Sequence, residues 1–188
     1  MPVPKIGHRR SFVSELKFGT QNPGKGRSDA GLSTSNLKCS HLMKEKTATF
    51  IGHRQCTGLN TENLRNEIEG LIQKGVCIFL NGGMGSFDWT CARIVHEMRE
   101  KYPQIRSYLV IPYLSFRILE PRYFDEVIYP EGFEKYHYKA AIVKRNQYLV
   151  EQSSYALCFV THNWGGAAKT YQRAVKKGLT ILNLGGNV

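Results

Sequence analysis

Residues 76–98 read VCIFLNGGMGSFDWTCARIVHEM, an apolar run followed by a glycine-rich turn and a helical repeat. The run at 76–80 is continuously apolar, which is typical of a strand in the middle of a parallel sheet. After the glycines, apolar side chains recur at positions 87, 91, 94, 95 and 98, the spacing of one buried helical face. A strand that leads through such a turn into a helix is the repeating unit of α/β folds.

The same alternation continues along the chain. Strands are predicted at 48–51, 76–80, 108–111, 127–129, 156–160 and 179–182, and helices at 62–74, 87–102, 138–152 and 167–177. The segment 114–127 has no clear period, and only a short helix at 122–126 is predicted in it. We therefore predict a single Rossmann-like α/β domain over residues 47–188, with a doubly wound, mostly parallel sheet and helices on both faces.

Residues 1–46 are predicted to be a mostly disordered, basic N-terminal extension. They contain many Gly, Ser and Asn residues and few large apolar ones, so they bury too little surface to offset the entropy lost on ordering. The segment holds nine basic and three acidic residues, a charge of +6 out of +11 for the whole chain. Two interpretations stay open, a basic arm for a polyanion such as nucleic acid and an extension without function. Met43 opens a charged stretch that runs directly into the first strand, and it is a candidate start of translation.

Composition excludes several classes of protein. Hydrophobic residues make up 41% and charged residues 22% of the chain, which indicates a globular protein. No apolar run approaches the roughly 18 residues of a membrane-spanning helix, so we expect no membrane partner. The five cysteines are widely spaced without a C-x-x-C pair, which favours a reducing, cytoplasmic location and argues against structural zinc. Residues 47–188 hold 17 basic and 12 acidic residues, and this charge of +5 argues against nucleic acid as the partner.

Two glycine clusters follow predicted strands. Glycine lets the backbone approach a ligand closely, and the N-terminus of the helix that follows offers free N–H groups to an anion. Because the carboxyl ends of parallel strands share one edge of a sheet, both clusters are expected at the same ligand site. The candidate phosphate-binding residues are Gly82, Gly83, Met84, Gly85, Ser86, Gly165 and Gly166, together with Gly52, His53 and Arg54 at the end of the first strand.

The glycine clusters do not match the common nucleotide-binding signatures. Neither cluster is a G-x-x-x-x-G-K-[ST] phosphate loop, and no G-x-G-x-x-G follows the first strand. An ATPase of the common kind and a standard dinucleotide dehydrogenase are therefore disfavoured.

Arg145 lies inside the apolar stripe of the third predicted helix, between Ile142 and Leu149. A guanidinium that faces a core needs an anion or hydrogen-bond acceptors, because an unpaired buried charge is costly. One interpretation is an internal ion pair with Asp88. The other is a ligand phosphate or carboxylate, with Asn146 as a second ligand-binding residue.

Asp88 also has two interpretations. In the first turn of a helix, a carboxylate is stabilised by the helix dipole and needs no further role. Alternatively it contacts a ribose hydroxyl or assists glycosidic chemistry, and it is the candidate catalytic residue. No cluster of His, Cys and carboxylates has metal-ligand spacing, and neither a metal nor a cofactor is expected.

Four motifs in order, FIGHR at 50–54, GGMGSFD at 82–88, KRN at 144–146 and GGAA at 165–168, resemble the YpsA-like branch of the SLOG superfamily. The resemblance runs from Met43 to the C-terminus. It implies a Rossmann-like fold and a pocket for a nucleotide or a nucleotide-derived ligand such as ADP-ribose or an NAD-related molecule. The superfamily also contains the LOG phosphoribohydrolases, which cleave nucleoside monophosphates at the N-glycosidic bond, and the DprA proteins, which bind single-stranded DNA.

The first glycine loop departs from the LOG pattern. LOG enzymes carry a P-G-G-x-G-T-x-x-E loop that supplies a glutamate, whereas residues 81–88 read NGGMGSFD, without that proline or the T-x-x-E ending. Three hypotheses follow: a module that binds or senses a nucleotide-like small molecule, an N-glycosidase that uses Asp88, and a nucleic-acid-binding protein. The oligomeric state is left open, with a homo-oligomer as one option.

Overall fold

A short segment directly ahead of the first strand is joined to the sheet. The computed structural model describes residues 43–186, so residues 1–42 of the predicted extension and the last two residues of the predicted domain lie outside it. Residues 43–45 are helical, and the Thr47 hydroxyl donates to the Met43 carbonyl at 2.6 Å. The Lys46 carbonyl accepts the N–H of Cys77 at 3.0 Å. Residues 43–46 are thereby joined to the sheet.

Within residues 43–186, six parallel strands form one sheet in the order β4-β3-β2-β1-β5-β6. The strands are β1 Thr47–Gly52, β2 Ile78–Asn81, β3 Arg106–Val110, β4 Glu126–Ile128, β5 Tyr155–Phe159 and β6 Thr180–Asn183. The helices are α1 Thr61–Gln73, α2 Ser86–Met98, α3 Tyr138–Glu151 and α4 Gly165–Lys176. The strand order reverses between β1 and β5, which makes the sheet doubly wound. The predicted fold class is confirmed.

Two predicted elements differ in the structure. The short helix predicted at 122–126 is a single 3₁₀ turn, Pro121–Tyr123, because the chain after it extends to pair with β3. The Asp125 N–H donates to the Ser107 carbonyl at 2.8 Å, which aligns the start of β4. Helix α2 ends at Met98 instead of residue 102, where the chain turns towards β3.

Helices cover both faces of the sheet. On one face α1 and α2 pack against an aromatic layer in which the rings of Phe50 and Phe79 stack at 5.8 Å between centroids. On the other face α3 and α4 cover side chains of β1, β2 and β5, including Ile51. All five positions predicted to face inwards on α2 are buried, as expected from their spacing. Tyr138, the first residue of α3, is by contrast 53% exposed, and the buried residues of this helix begin at Ala141.

Gly52 ends β1 directly against α2. A Cβ atom at this position would lie 2.6 Å from the Cβ of Phe87, whose side chain is completely buried. The absence of a side chain at Gly52 therefore lets α2 approach the sheet. Gly70 in α1 differs, because a Cβ there would meet no atom within 4 Å.

We expect Gly52→Ala to destabilise the protein by about 1–3 kcal/mol, because the added methyl overpacks the core beside Phe87. The matched variant Gly70→Ala is expected to stabilise it by about 0.8–1 kcal/mol, since alanine is the better helix former. Urea unfolding of both variants measures the difference. If both substitutions changed the free energy of unfolding by the same amount and in the same direction, the close packing of β1 and α2 would be contradicted.

Candidate functional site

A cavity of about 480 Å³ opens at the carboxyl ends of β1 and β5, where the strand order of the sheet reverses. This volume is in the range of small-molecule pockets. Ten predicted residues lie in its wall: Gly52, His53, Arg54, Gly82, Met84, Asp88, Arg145, Asn146, Gly165 and Gly166. Gly83, Gly85 and Ser86 are not part of the wall.

The first glycine loop is held by hydrogen bonds from its own neighbours. Asn81 is fully buried, and its side-chain oxygen accepts the N–H of Gly83 at 2.7 Å, while its amide nitrogen donates to the carbonyl of Asp88 at 2.7 Å. The carboxylate Oδ2 of Asp88 accepts the N–H of Met84 at 2.8 Å. Two N–H groups that were predicted to face a phosphate are therefore bonded within the protein.

Two glycines of this loop are required by close contacts. A Cβ at Gly82 would lie 2.6 Å from Nη1 of Arg145, and a Cβ at Gly85 would lie 2.8 Å from the Cα of Arg54. The Ser86 N–H donates to the Arg54 carbonyl at 2.9 Å and ties the loop to the end of β1. These glycines serve the packing of the protein itself.

The second glycine cluster, in contrast, has free space around its glycines and N–H groups without a partner among the described residues. Gly165 has a φ of 88°, a conformation that favours glycine, and a Cβ at Gly166 would meet no atom within 4 Å. The N-cap residue Trp164 makes no side-chain capping bond, and the first turn of α4 contains no acidic residue. Among the described residues, no acceptor bonds the N–H groups of Gly165, Gly166 or Ala167. The N-terminus of α4 therefore presents free donors and a positive dipole end to the cavity.

Arg145 joins the ends of two strands. Its side chain is 2% exposed, and Nη1 donates to the carbonyls of Gly82 and of Val110, the latter at 3.2 Å. Nε donates to Oδ1 of Asn146 at 2.9 Å. The ion pair with Asp88, one of the two interpretations of Arg145, is not formed within salt-bridge distance in the described chain, because backbone carbonyls take the place of the carboxylate.

The same network reaches the second glycine cluster. Asn146 donates through Nδ2 to the hydroxyl of Thr170 at 3.2 Å, and this hydroxyl donates to the Gly166 carbonyl at 2.8 Å. A chain of hydrogen bonds thus connects Gly82 in the first loop to Gly166 at the start of α4, through Arg145. Asn81 and Thr170 are not predicted from the sequence, since no local pattern marks either of them.

Asp88 and Arg145 influence each other through space. Burial raises the pKa of Asp88, and the bond from the Met84 N–H and the charge of Arg145 oppose this effect. Burial lowers the pKa of Arg145, opposed by the charges of Asp88 and Tyr113. An arginine nevertheless stays protonated in proteins, so the interior of this edge carries a fixed positive charge.

Three aromatic rings form a column on the cavity wall. The rings of His53 and His162 stack at 3.7 Å with an angle of 19°, and those of His162 and Trp164 stack at 3.8 Å with an angle of 18°. His53 accepts the N–H of Thr161 through Nε2 at 3.1 Å, so this nitrogen carries no proton. From the sequence, His162 is expected to be structural or solvent-facing, and Trp164 is not predicted as a site residue. The feature of the sequence that could have identified Trp164 is an aromatic residue directly before a glycine pair.

Residues 43–186 offer neither a metal site nor a membrane span. No group of three or more His, Cys, Asp or Glu residues in this range is arranged to hold a metal ion. None of the helices in it has the length and apolar character needed to cross a membrane.

We expect the stability of the protein to fall as the pH drops below about 6.5. Burial, and secondarily the charge of His162, lower the pKa of His53 below 6.5, so the folded protein binds this proton less tightly than the unfolded chain. The contribution of His53 to stability is fully present above the pKa that this residue has in the unfolded chain. It is lost as the pH falls through the lower pKa that His53 has in the folded protein. Denaturant unfolding at about pH 7.5 and about pH 5.5 measures it. The pH dependence should be smaller in His53→Gln, and an equal dependence would contradict the assignment.

Comparison with known proteins is informative for the fold. No protein-family model and no curated protein matches the sequence. The structure of DNA processing protein A (DprA) from Streptococcus pneumoniae is similar with a TM-score of 0.56 and 15% identity. That match covers 78% of this chain and 53% of the other, so this chain spans about half the length of that protein.

A second structure, DNA processing protein A from Helicobacter pylori, is similar with a TM-score of 0.54 and 14% identity, over 79% of this chain and 69% of the other. At such identities the likeness shows the fold alone. The chain therefore has a Rossmann-like fold similar to that of these two DprA structures.

Proposed function

We propose that the protein binds a nucleotide or a nucleotide-derived ligand, of the ADP-ribose or NAD-related kind, as a YpsA-like member of the SLOG superfamily. The observation that carries the proposal is the N-terminus of α4, whose free N–H groups at Gly165, Gly166 and Ala167 open into the cavity. Ligands of open α/β sheets bind where the strand order reverses. Helix N-termini bind phosphate through such N–H groups.

Arg145 supports a phosphate at this position. Its guanidinium lies in the cavity wall, and its hydrogen bonds to described residues use Nη1 and Nε. The donors on Nη2 make no hydrogen bond to a described residue and are available to a ligand oxygen. Arg145 then has two roles. Nη1 and Nε hold the loops in place, and Nη2 contacts the ligand.

Binding without turnover is favoured over hydrolysis. Asp88 holds the first loop through the Met84 N–H, so one carboxylate oxygen is already engaged. The loop also lacks the glutamate that LOG enzymes use. An N-glycosidase remains the alternative within the same pocket, and the release of a free base distinguishes it.

Nucleic acid is the second candidate partner. DNA processing protein A from Helicobacter pylori binds single-stranded DNA. The observation that favours such a partner in this chain is the ring column ending at Trp164, which is 68% exposed, because single-strand binders stack bases on exposed aromatic rings. The charge of +11 is compatible with it. The net charge of the protein therefore does not argue against a nucleic-acid partner.

Gly166→Asp is expected to separate stability from binding. The position has room for a side chain, and a carboxylate in the first turn should stabilise α4 by about 0.3–1 kcal/mol. The same carboxylate repels a phosphate, so affinity for AMP should fall by on the order of tenfold or more. Isothermal titration and thermal unfolding measure both quantities. Gly166→Ala is the uncharged control, and equal AMP affinity in both variants would count against a phosphate at this helix end.

The full chain should show a higher melting temperature with AMP, ADP-ribose or NAD than without ligand, because a ligand of the native state stabilises it by mass action. Chromatography of each mixture should recover the nucleotide intact. A free base in solution would instead establish the N-glycosidase. A shift only with single-stranded oligonucleotide, declining steeply with salt, would replace the proposal by the nucleic-acid candidate.

A further inference from the structure

Hydrogen bonds hold the two histidine rings in the column of His53, His162 and Trp164. The Thr161 N–H bonds His53, and His162 donates through Nδ1 to the carbonyl of Trp164 at 3.1 Å. His53 belongs to the segment after β1, whereas His162 and Trp164 precede α4, so the column joins the loops that follow β1 and β5. The two histidine rings are therefore fixed by hydrogen bonds, and Trp164 stacks on His162.

The outer end of the column is open. Trp164 is 68% exposed, and its only ring contact with a described residue is with His162, on one face. The other tryptophan of the chain, Trp89, is partly buried and packs against Phe124 at 6.0 Å between centroids. A large apolar ring with a free face at the wall of a cavity is suited to stack another flat ring.

Trp164 is also the N-cap of α4, directly ahead of Gly165 and Gly166. Successive Cα atoms are about 3.8 Å apart, so the open ring face and the free N–H groups lie within the length of one small ligand. A sugar phosphate can accept hydrogen bonds from the N–H groups of the helix end but cannot stack on the ring, and a free base can only stack on the ring. A nucleotide can make both interactions.

We propose that Trp164 is a base-stacking subsite, in which the purine of a nucleotide lies on its outer face as the fourth ring of the column while a phosphate occupies the N-terminus of α4. This inference rests on the proposed function and adds to it a selectivity for purine nucleotides. Stacking depends on the face of the base and not on its hydrogen-bonding edge. Adenine and guanine nucleotides are therefore held alike, and both are held more tightly than pyrimidine nucleotides, whose rings offer less area.

Tryptophan fluorescence of the full-length Trp89→Phe protein tests the subsite, because Trp164 is then the only tryptophan. AMP and GMP should quench the signal in a saturable manner, CMP should do so at higher concentration, and ribose 5-phosphate should not quench it. Calorimetry should show that Trp164→Ala lowers AMP affinity by on the order of tenfold and leaves ribose 5-phosphate affinity unchanged. Trp164→Phe should keep most of the AMP affinity.

The outcomes are distinguishable. If AMP binds the wild type and Trp164→Ala equally without quenching, the subsite is wrong and the proposed function stands. If none of AMP, ADP-ribose, NAD and ribose 5-phosphate binds, the proposed function fails and the subsite with it. If an oligonucleotide alone quenches Trp164, the ring serves nucleic acid and the nucleotide subsite is overturned. The quenching arm uses the native ring, so it decides the matter even if Trp164→Ala fails to fold.

Discussion

The buried guanidinium of Arg145 is the constraint on which the architecture of this edge depends. A charge that is 2% exposed must keep its partners, because the loss of one leaves it unsatisfied in the interior. The partners of Arg145 are carbonyls at Gly82 and Val110, in segments that follow β2 and end β3. Through Asn146 and Thr170 the same network reaches the start of α4. Both walls of the cavity are thus positioned before a ligand arrives.

This network explains why two similar glycine clusters have different uses. Gly82 is glycine because the guanidinium occupies the space of a side chain, and the neighbouring N–H groups are bonded to Asn81 and Asp88. Gly166 has no such neighbour, and the space beside it is empty. One cluster is part of the scaffold, and the other is accessible. A glycine selected for internal packing and a glycine selected for ligand approach look the same in a sequence.

Features that depend on local spacing were predictable. The fold class, the buried face of α2 and the burial of Arg145 all follow from periodicity, which is a property of neighbouring residues. The partners of Arg145 were not predictable, since the Gly82 carbonyl lies 63 residues away in the chain. The bond between Thr161 and His53 joins residues 108 apart, and the ring column depends on it. The second pair becomes visible only when the register of β1 and β5 is known.

The distribution of charge favours the second cluster as the anion site. In the first loop the N–H groups of Gly83 and Met84 are bonded to the side chains of Asn81 and Asp88, so neither is available to a ligand. At the start of α4 no carboxylate in the first turn offsets the helix dipole, and burial and the charge of His162 lower the pKa of the neighbouring His53. A phosphate placed at the start of α4 would therefore meet uncompensated donors, with a flat aromatic surface beside them. This separation of charge from aromatic surface matches the two chemical halves of a nucleotide.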